Sequence, residues 1–145
     1  MQSFPHHYHV SALAQPEGEV SLSADRLETL FSAPPVEFGG PGNRWSPESL
    51  LVAAVADCFI LSFRSIAAAS KLPWLALACQ VEGVLERVDG VTKFTHFVLN
   101  AELQVSADIA PEKAQRLLEK AEQVCLISNS LSGSKEVHAR ITVVP

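Results

Sequence analysis

Basic residues are scarce in this chain. Against 16 Asp and Glu there are 11 Lys and Arg in 145 residues, a net charge of −5, and the basic residues form no cluster. Phosphate neutralisation needs clustered Lys and Arg, so nucleic acid is set aside as a partner. No signal peptide is expected, because MQSFPHHYHV has neither a basic start nor an apolar run. The longest apolar stretch, Leu50 to Phe63, is interrupted by Asp57 and Ser62. It falls short of the ~20 residues that a membrane span needs, so no membrane association is expected. Cysteine is sparse and odd in number, three in all, unlike a secreted disulfide framework. A reducing cytoplasm is the natural reading, where a cysteine pair forms a disulfide transiently, in catalysis or sensing. Gly39-Gly40-Pro41-Gly42 lacks the Lys-Ser/Thr ending of a phosphate loop, and no internal repeat or low-complexity segment is present.

What is there suits a packed domain. Hydrophobic residues make up 48% and charged residues 19%, which excludes wholesale disorder. A chain this long is expected to form one domain, residues 1–145, burying roughly 68–70% of its unfolded surface.

The first third reads as strands. Tyr8–Ala14 alternates loosely, Pro16-Glu17-Gly18 is a turn, Val20–Ser23 resumes extended structure, and Arg26–Phe31 is a third strand candidate. A loop follows from Pro34 to Asn43. Ser46-Pro47-Glu48 then opens a helix: serine suits the N-cap, proline the first helical position, and an early glutamate the positive end. This helix is expected to run from Pro47 to about Ser70, with apolar residues on nearly every face. Such a helix is central, or shared with another subunit, and both readings apply here. Leu75–Glu86 alternates as a strand with Leu75, Leu77, Cys79, Val81 and Leu85 on one face, and Val88-Asp89-Gly90 is a turn. Val91–Val105 returns as one or two strands. Asp108 and Pro111 start a second helix, with Ala114, Leu117, Leu118, Ala121, Val124 and Cys125 at helical spacing, and Glu136–Val144 closes as a strand. The fold class is α+β.

Two cysteines stand in unusual places. Cys58 lies in the middle of the apolar helix, directly after Asp57, and Cys125 ends the apolar stripe of the second helix. Each can be read as a small buried hydrophobe or as a reactive thiol; Cys79, alternating within a strand, reads as core. Other candidates carry less. Asp57 is either a buried acid or the ion-pair partner of Arg64. His6, His7 and His9 hint at metal, but no acidic or cysteine ligand is near them in sequence, and no metal or other cofactor is expected. A hydrolase pairing Cys58 with His96 or His138 finds no support in the spacing.

The segment Ser46-Pro-Glu-Ser-Leu-Leu-Val-Ala-Ala-Val-Ala-Asp-Cys58-Phe resembles the central-helix signature of the OsmC/Ohr family of thiol peroxidases. Ala121-Glu-Gln-Val-Cys125-Leu-Ile-Ser-Asn129 resembles that family's second-cysteine motif, 67 residues further on and in the expected order. The resemblance covers nearly the whole chain. It implies an OsmC-like fold of antiparallel strands around two main helices, in an intertwined homodimer with the site at the subunit interface.

It also implies an enzyme, a peroxidase reducing organic hydroperoxides. Cys58 becomes a sulfenic acid, Cys125 condenses with it to a disulfide, and an external dithiol or lipoyl-type reductant regenerates the pair. In the family, an arginine held by the glutamate of the Pro-Glu motif activates the peroxidatic cysteine. Glu48 matches that glutamate. The arginine does not carry over, since this chain has Pro16-Glu17-Gly18 and Phe38-Gly39-Gly40 where the family places it. Arg44 and Arg26 are the nearest substitutes. Help of this kind is expected to be needed, because Cys58 is mid-helix and apolar surroundings raise a thiol's pKa. Glu48 and Cys58 are ten residues apart, so about 15 Å of straight helix separates them. Cooperation between them is therefore expected across a two-fold interface. The alternatives are an OsmC-like dimer that binds a small apolar ligand without catalysis, and a redox sensor with slow turnover.

Overall fold

In the computed structural model, which describes residues 1–145, the chain separates into two compact units, residues 1–51 and 52–145. The first holds a three-stranded antiparallel meander of β1 (Ser11–Leu13), β2 (Val20–Ser23) and β3 (Leu30–Ser32). Leu13 pairs with Ser21 and Val20 with Ser32. Beyond β3 the chain folds through a 3₁₀ turn at Val36–Phe38, and the Gly40 amide donates to Pro35 O at 2.9 Å. Only glycine fits at 40, because a Cβ there would lie 1.6 Å from Pro34 O. The Ala33 amide then donates to Trp45 O at 2.9 Å, which brings Ser46 to the start of helix α1 (Pro47–Ala69).

Ser46 is the N-cap that the sequence indicates. Its Oγ accepts from the Ser49 amide at 3.1 Å, and Ser49 Oγ accepts from the Ser46 amide at 2.8 Å, a reciprocal capping box. Both donors belong to the set that a helix start leaves without intrahelical partners.

From Val52 onward α1 is part of the second unit. Its buried residues are Val55, Phe59, Phe63 and Ala67, a single stripe at intervals of four. The remaining apolar residues are part-buried or exposed, with Leu61 at 48%. The helix has 23 residues and a mean hydropathy of 1.9 over its most apolar stretch, so by length and composition it is long enough to cross a membrane. Asp57 and Ser62 interrupt the apolar sequence but not the helix.

The second unit's sheet has the order β4 (Ala76–Val88), β5 (Val91–Ser106), β6 (Ser134–Val144). Strands β4 and β5 form a long hairpin closed by Asp89 and Gly90, both at positive φ (50° and 79°), as a two-residue loop of this kind requires. The stretch from Val91 is one strand, not two. A register shift at Val84/Leu85 ends the simple alternation that the sequence suggests for β4. Strand β6 joins β5 in parallel, because helices α2 (Pro111–Val124) and α3 (Leu126–Asn129) carry the chain back between them.

Burial alternates along β5, with Phe97, Leu99, Ala101, Leu103 and Val105 all buried on one face. The register aligns Val81–Leu99–Val137, Cys79–Ala101–Ala139 and Gly83–Phe97–Lys135 across that face. Helix α2 packs against β6, and its buried stripe is Ala114, Leu118 and Ala121, continued by Cys125. Gly83 lets α1 approach, since a Cβ there would come within 2.7 Å of Val52 Cγ2.

Candidate active site

The chain between α2 and α3 breaks at Cys125, whose extended backbone (φ −62°, ψ 104°) makes it both C-cap of α2 and N-cap of α3. The break frees the first amides of α3, and those of Ile127 and Leu126 act on the Cys58 thiol of α1 to lower its pKa. Ser62, one turn along α1, lies with its Oγ 3.9 Å from Cys58 Sγ. The Cys125 thiol is the remaining partner of Cys58. The two cysteines singled out in the sequence are thus neighbours, both reduced.

Burial alone pushes the Cys58 thiol up. The Ile127 amide, the Cys125 thiol, the Ser62 hydroxyl and the Leu126 amide together outweigh it, so the group lies below its ordinary value of 9.0. This reverses the expectation from a mid-helix position. The amides that act on Cys58 come from α3, which is distant in sequence. None of these groups is a guanidinium.

Cys125 is opposite in character. Burial raises it, the Ser128 hydroxyl and amide lower it, and its hydrogen bond and charge interaction with Cys58 raise it again, leaving a net upward shift. The two shifts run in opposite directions, which makes Cys58 the more acidic thiol of the pair. Burial, followed by the charge of Cys125, pushes Cys79 up to about 11, so the third cysteine stays a thiol.

The other candidates disperse. Arg44 pairs with Glu19 at 2.7 Å rather than with Glu48, and Arg26 lies 3.8 Å from Asp25 with both side chains exposed. Glu48 is left with its Oε1 buried and without a hydrogen-bond partner in the chain. Asp57 and Arg64 are exposed on α1, and neither makes an ion pair. His96 and His138 both bind Glu136, at 3.2 and 2.7 Å, on the sheet face opposite Cys79. His6, His7 and His9 are exposed, and no three potential ligand side chains converge on a point.

Sequence reasoning passed over Ser62, Ser128 and the amides of α3. Ser62 is the one with a local signal, four residues after Cys58 and so on the same helix face.

Residues 40–140 match the family described as OsmC-like protein. The chain belongs to the OsmC/Ohr family. It is 30% identical over 132 residues to an organic hydroperoxide resistance protein of Xanthomonas axonopodis pv. citri, covering 89% of each chain. Among solved structures, an organic hydroperoxide resistance protein from Legionella pneumophila is 27% identical with a TM-score of 0.75, covering 97% of this chain and all of the other (100%). An OsmC-like protein of unknown function from Vibrio cholerae gives a TM-score of 0.84 at 16% identity, over 94% of this chain and 100% of the other, a likeness of fold.

Proposed function

We propose that this OsmC-like chain is a thiol-dependent organic hydroperoxide reductase of the cytoplasm, with residues 1–145 working as one OsmC-like domain. The observation that carries the reading is the approach of two free cysteines, Cys58 of α1 and Cys125 at the break between α2 and α3, with Cys58 lowered and Cys125 raised from the ordinary thiol value. In the first step the Cys58 thiolate attacks the distal oxygen of a hydroperoxide. The O–O bond breaks, Cys58 becomes a sulfenic acid, and the alkoxide leaves as the alcohol after taking a proton. In the second step the Cys125 sulfur attacks the sulfenic sulfur, an S–S bond replaces S–O, and hydroxide leaves with the Cys125 proton as water. An external dithiol, lipoyl-type or small, returns the disulfide to two thiols. No metal or other cofactor enters these steps.

The reading includes a homodimer with shared active sites. Helix α1 buries one stripe and leaves its other apolar residues uncovered, and Glu48 Oε1 is buried with no partner. A second copy of the chain would answer both. With about 15 Å of helix between Glu48 and Cys58, Glu48 serves the partner's site. Leu61, one turn along α1 from Cys58 and 48% exposed, favours an alkyl or lipid hydroperoxide over hydrogen peroxide.

The test treats reduced protein with one equivalent of cumene hydroperoxide, counts thiols and maps any disulfide by mass spectrometry. Loss of two thiols with a Cys58–Cys125 link is expected, and neither Cys58→Ser nor Cys125→Ser should form it. Multiple turnovers in excess dithiol are then expected, along with a higher catalytic efficiency for cumene hydroperoxide than for hydrogen peroxide. Oxidation without turnover would favour a redox sensor, which Arg44's engagement by Glu19 makes the second reading. Three unreacted thiols would remove the peroxidase and leave the binder of a small apolar ligand.

A further inference from the structure

The helix break at Cys125 is held from a third element. Helix α3 has four residues, and helices shorter than roughly 12–15 residues are marginal in water by themselves. Its placement against α2 therefore depends on contacts with the rest of the chain.

Those contacts meet at one ammonium. Lys135 stands on the core face of β6, in register with Phe97, and residues 137, 139, 141 and 143 on that alternation are Val, Ala, Ile and Val. Its side chain is only 18% exposed, so the ammonium gives up hydration that an aliphatic residue would not need. Nζ donates to Ser128 Oγ at 3.2 Å and to Asn129 Oδ1 at 2.8 Å, both on α3. It also lies 3.6 Å from Glu122 Oε1 in the last turn of α2. One cation on β6 thus ties the end of α2 to α3, with Cys125 between them.

The two α3 side chains pass this hold to the backbone. Ser128, 2% exposed, donates its hydroxyl to Cys125 O at 3.2 Å, and the Asn129 amide donates to the same oxygen at 3.0 Å. Asn129 Nδ2 reaches back to Gln123 O at 2.9 Å. The carbonyls of Gln123 and Cys125 are fixed by the same two residues that Lys135 fixes.

We propose that Lys135 is a positioning residue for disulfide closure: by tying Glu122 to Ser128 and Asn129 it sets the α2–α3 break, and with it the place from which Cys125 attacks the Cys58 sulfenic acid. The role rests on the peroxidase reading above. In that step the S–S bond forms as the S–O bond breaks, and hydroxide leaves with the Cys125 proton as water. Lys135 gives up no proton and acts through the backbone. A disulfide accepts Cα separations of only ~4.4–6.8 Å, so a break free to flex keeps the thiol in reach for less of the time.

Two measurements need no hydroperoxide, and both use a Cys79→Ser background to leave one thiol pair. In Lys135→Met, hydrogen exchange should be about tenfold faster at the Asn129 amide and unchanged at the Leu99 amide of β5. In a buffer of reduced and oxidised glutathione, the Cys58–Cys125 disulfide should be about tenfold less favoured than in the parent. Lys135→Arg, which keeps charge and donors, should restore most of both. Ser128→Ala should move the glutathione equilibrium the same way, and the double variant should fall short of the product of the two effects, because the lysine acts partly through the serine. An unmoved Asn129 amide, equal acceleration at Leu99, an unmoved equilibrium, or effects that multiply in full would overturn the proposal.

With cumene hydroperoxide, Lys135→Met should slow Cys58–Cys125 disulfide formation about tenfold and leave trapping of the Cys58 sulfenic acid within about twofold. Equal slowing of both steps would overturn the proposal in favour of a general loss of structure. A hydroperoxide that oxidises no thiol overturns the peroxidase reading separately, since exchange and the glutathione equilibrium are read without it.

Discussion

Residues 52–145 finish their own interior, and residues 1–51 do not. In the second unit α1, α2 and the alternating face of β5 contribute a continuous set of buried apolar side chains, Val55 through Cys125. In the first, the buried residues are Ser32, Ala33 and Ser46, while Leu13, Phe31, Val36, Phe38 and Trp45 are exposed. A segment of this size rarely carries itself without an added surface or staple. The lesson concerns where the chemistry is housed. All three cysteines belong to the unit with its own core, which can hold two sulfurs at fixed geometry. Glu48, whose Oε1 is buried without a partner, belongs to the unit that leaves its large apolar residues exposed.

Removing the core of the second unit should have the largest effect. Phe97→Ala deletes a fully buried ring and is expected to cost about 3–5 kcal/mol, read as a lowered denaturation midpoint with an unchanged slope. A cost under about 1 kcal/mol would break the contrast. Trp45→Glu places a charge among the exposed apolar residues of the first unit. On the proposed homodimer reading, it should leave the second unit's near-ultraviolet signature in place while shifting the protein to monomer in sedimentation and lowering turnover at least tenfold. Persistence of a fully active monomer would sink both the shared site and the dependence of residues 1–51 on a partner.

The pH profile sharpens the contrast between the cysteines within the second unit. The attacking species is the thiolate, and Cys58 is held below 9.0, so sulfenic acid formation should rise with pH and level off before 9.0. Cys79, raised to about 11, should remain unalkylated across that range. The smallest expected effect is at the helix start. Ser46→Ala removes the cap of α1 and should cost about 1 kcal/mol in denaturant titration, with Ser46→Thr closer to neutral.

Much of the fold was legible in the sequence because its signals are local. The capping residues of α1, the two-residue turn at Asp89-Gly90 and the stripe ending in Cys125 each declare themselves within a few residues. The partnership of Arg44 was not legible. Four residues before Glu48 it looks like that residue's ion-pair partner, yet β2 begins beside Glu19, and the guanidinium goes there. Lys135 was equally silent, since a lysine at the start of a strand reads as solvated until the register places it on the core face.

By itself the sequence determined the α+β class, the central apolar helix, the order of the two cysteine motifs and the family they belong to. The class and the helix follow from periodicity and turn chemistry, which act over short stretches, and the family follows from the resemblance of the two motifs. Tertiary structure decided which thiol is acidic. Helix α3 delivers its first amides to Cys58 across a gap of more than sixty residues, and Ser128, tied to Lys135, faces Cys125. Charge and hydrogen bonding act through space, and distances between elements exist only once the sheet and helices have packed.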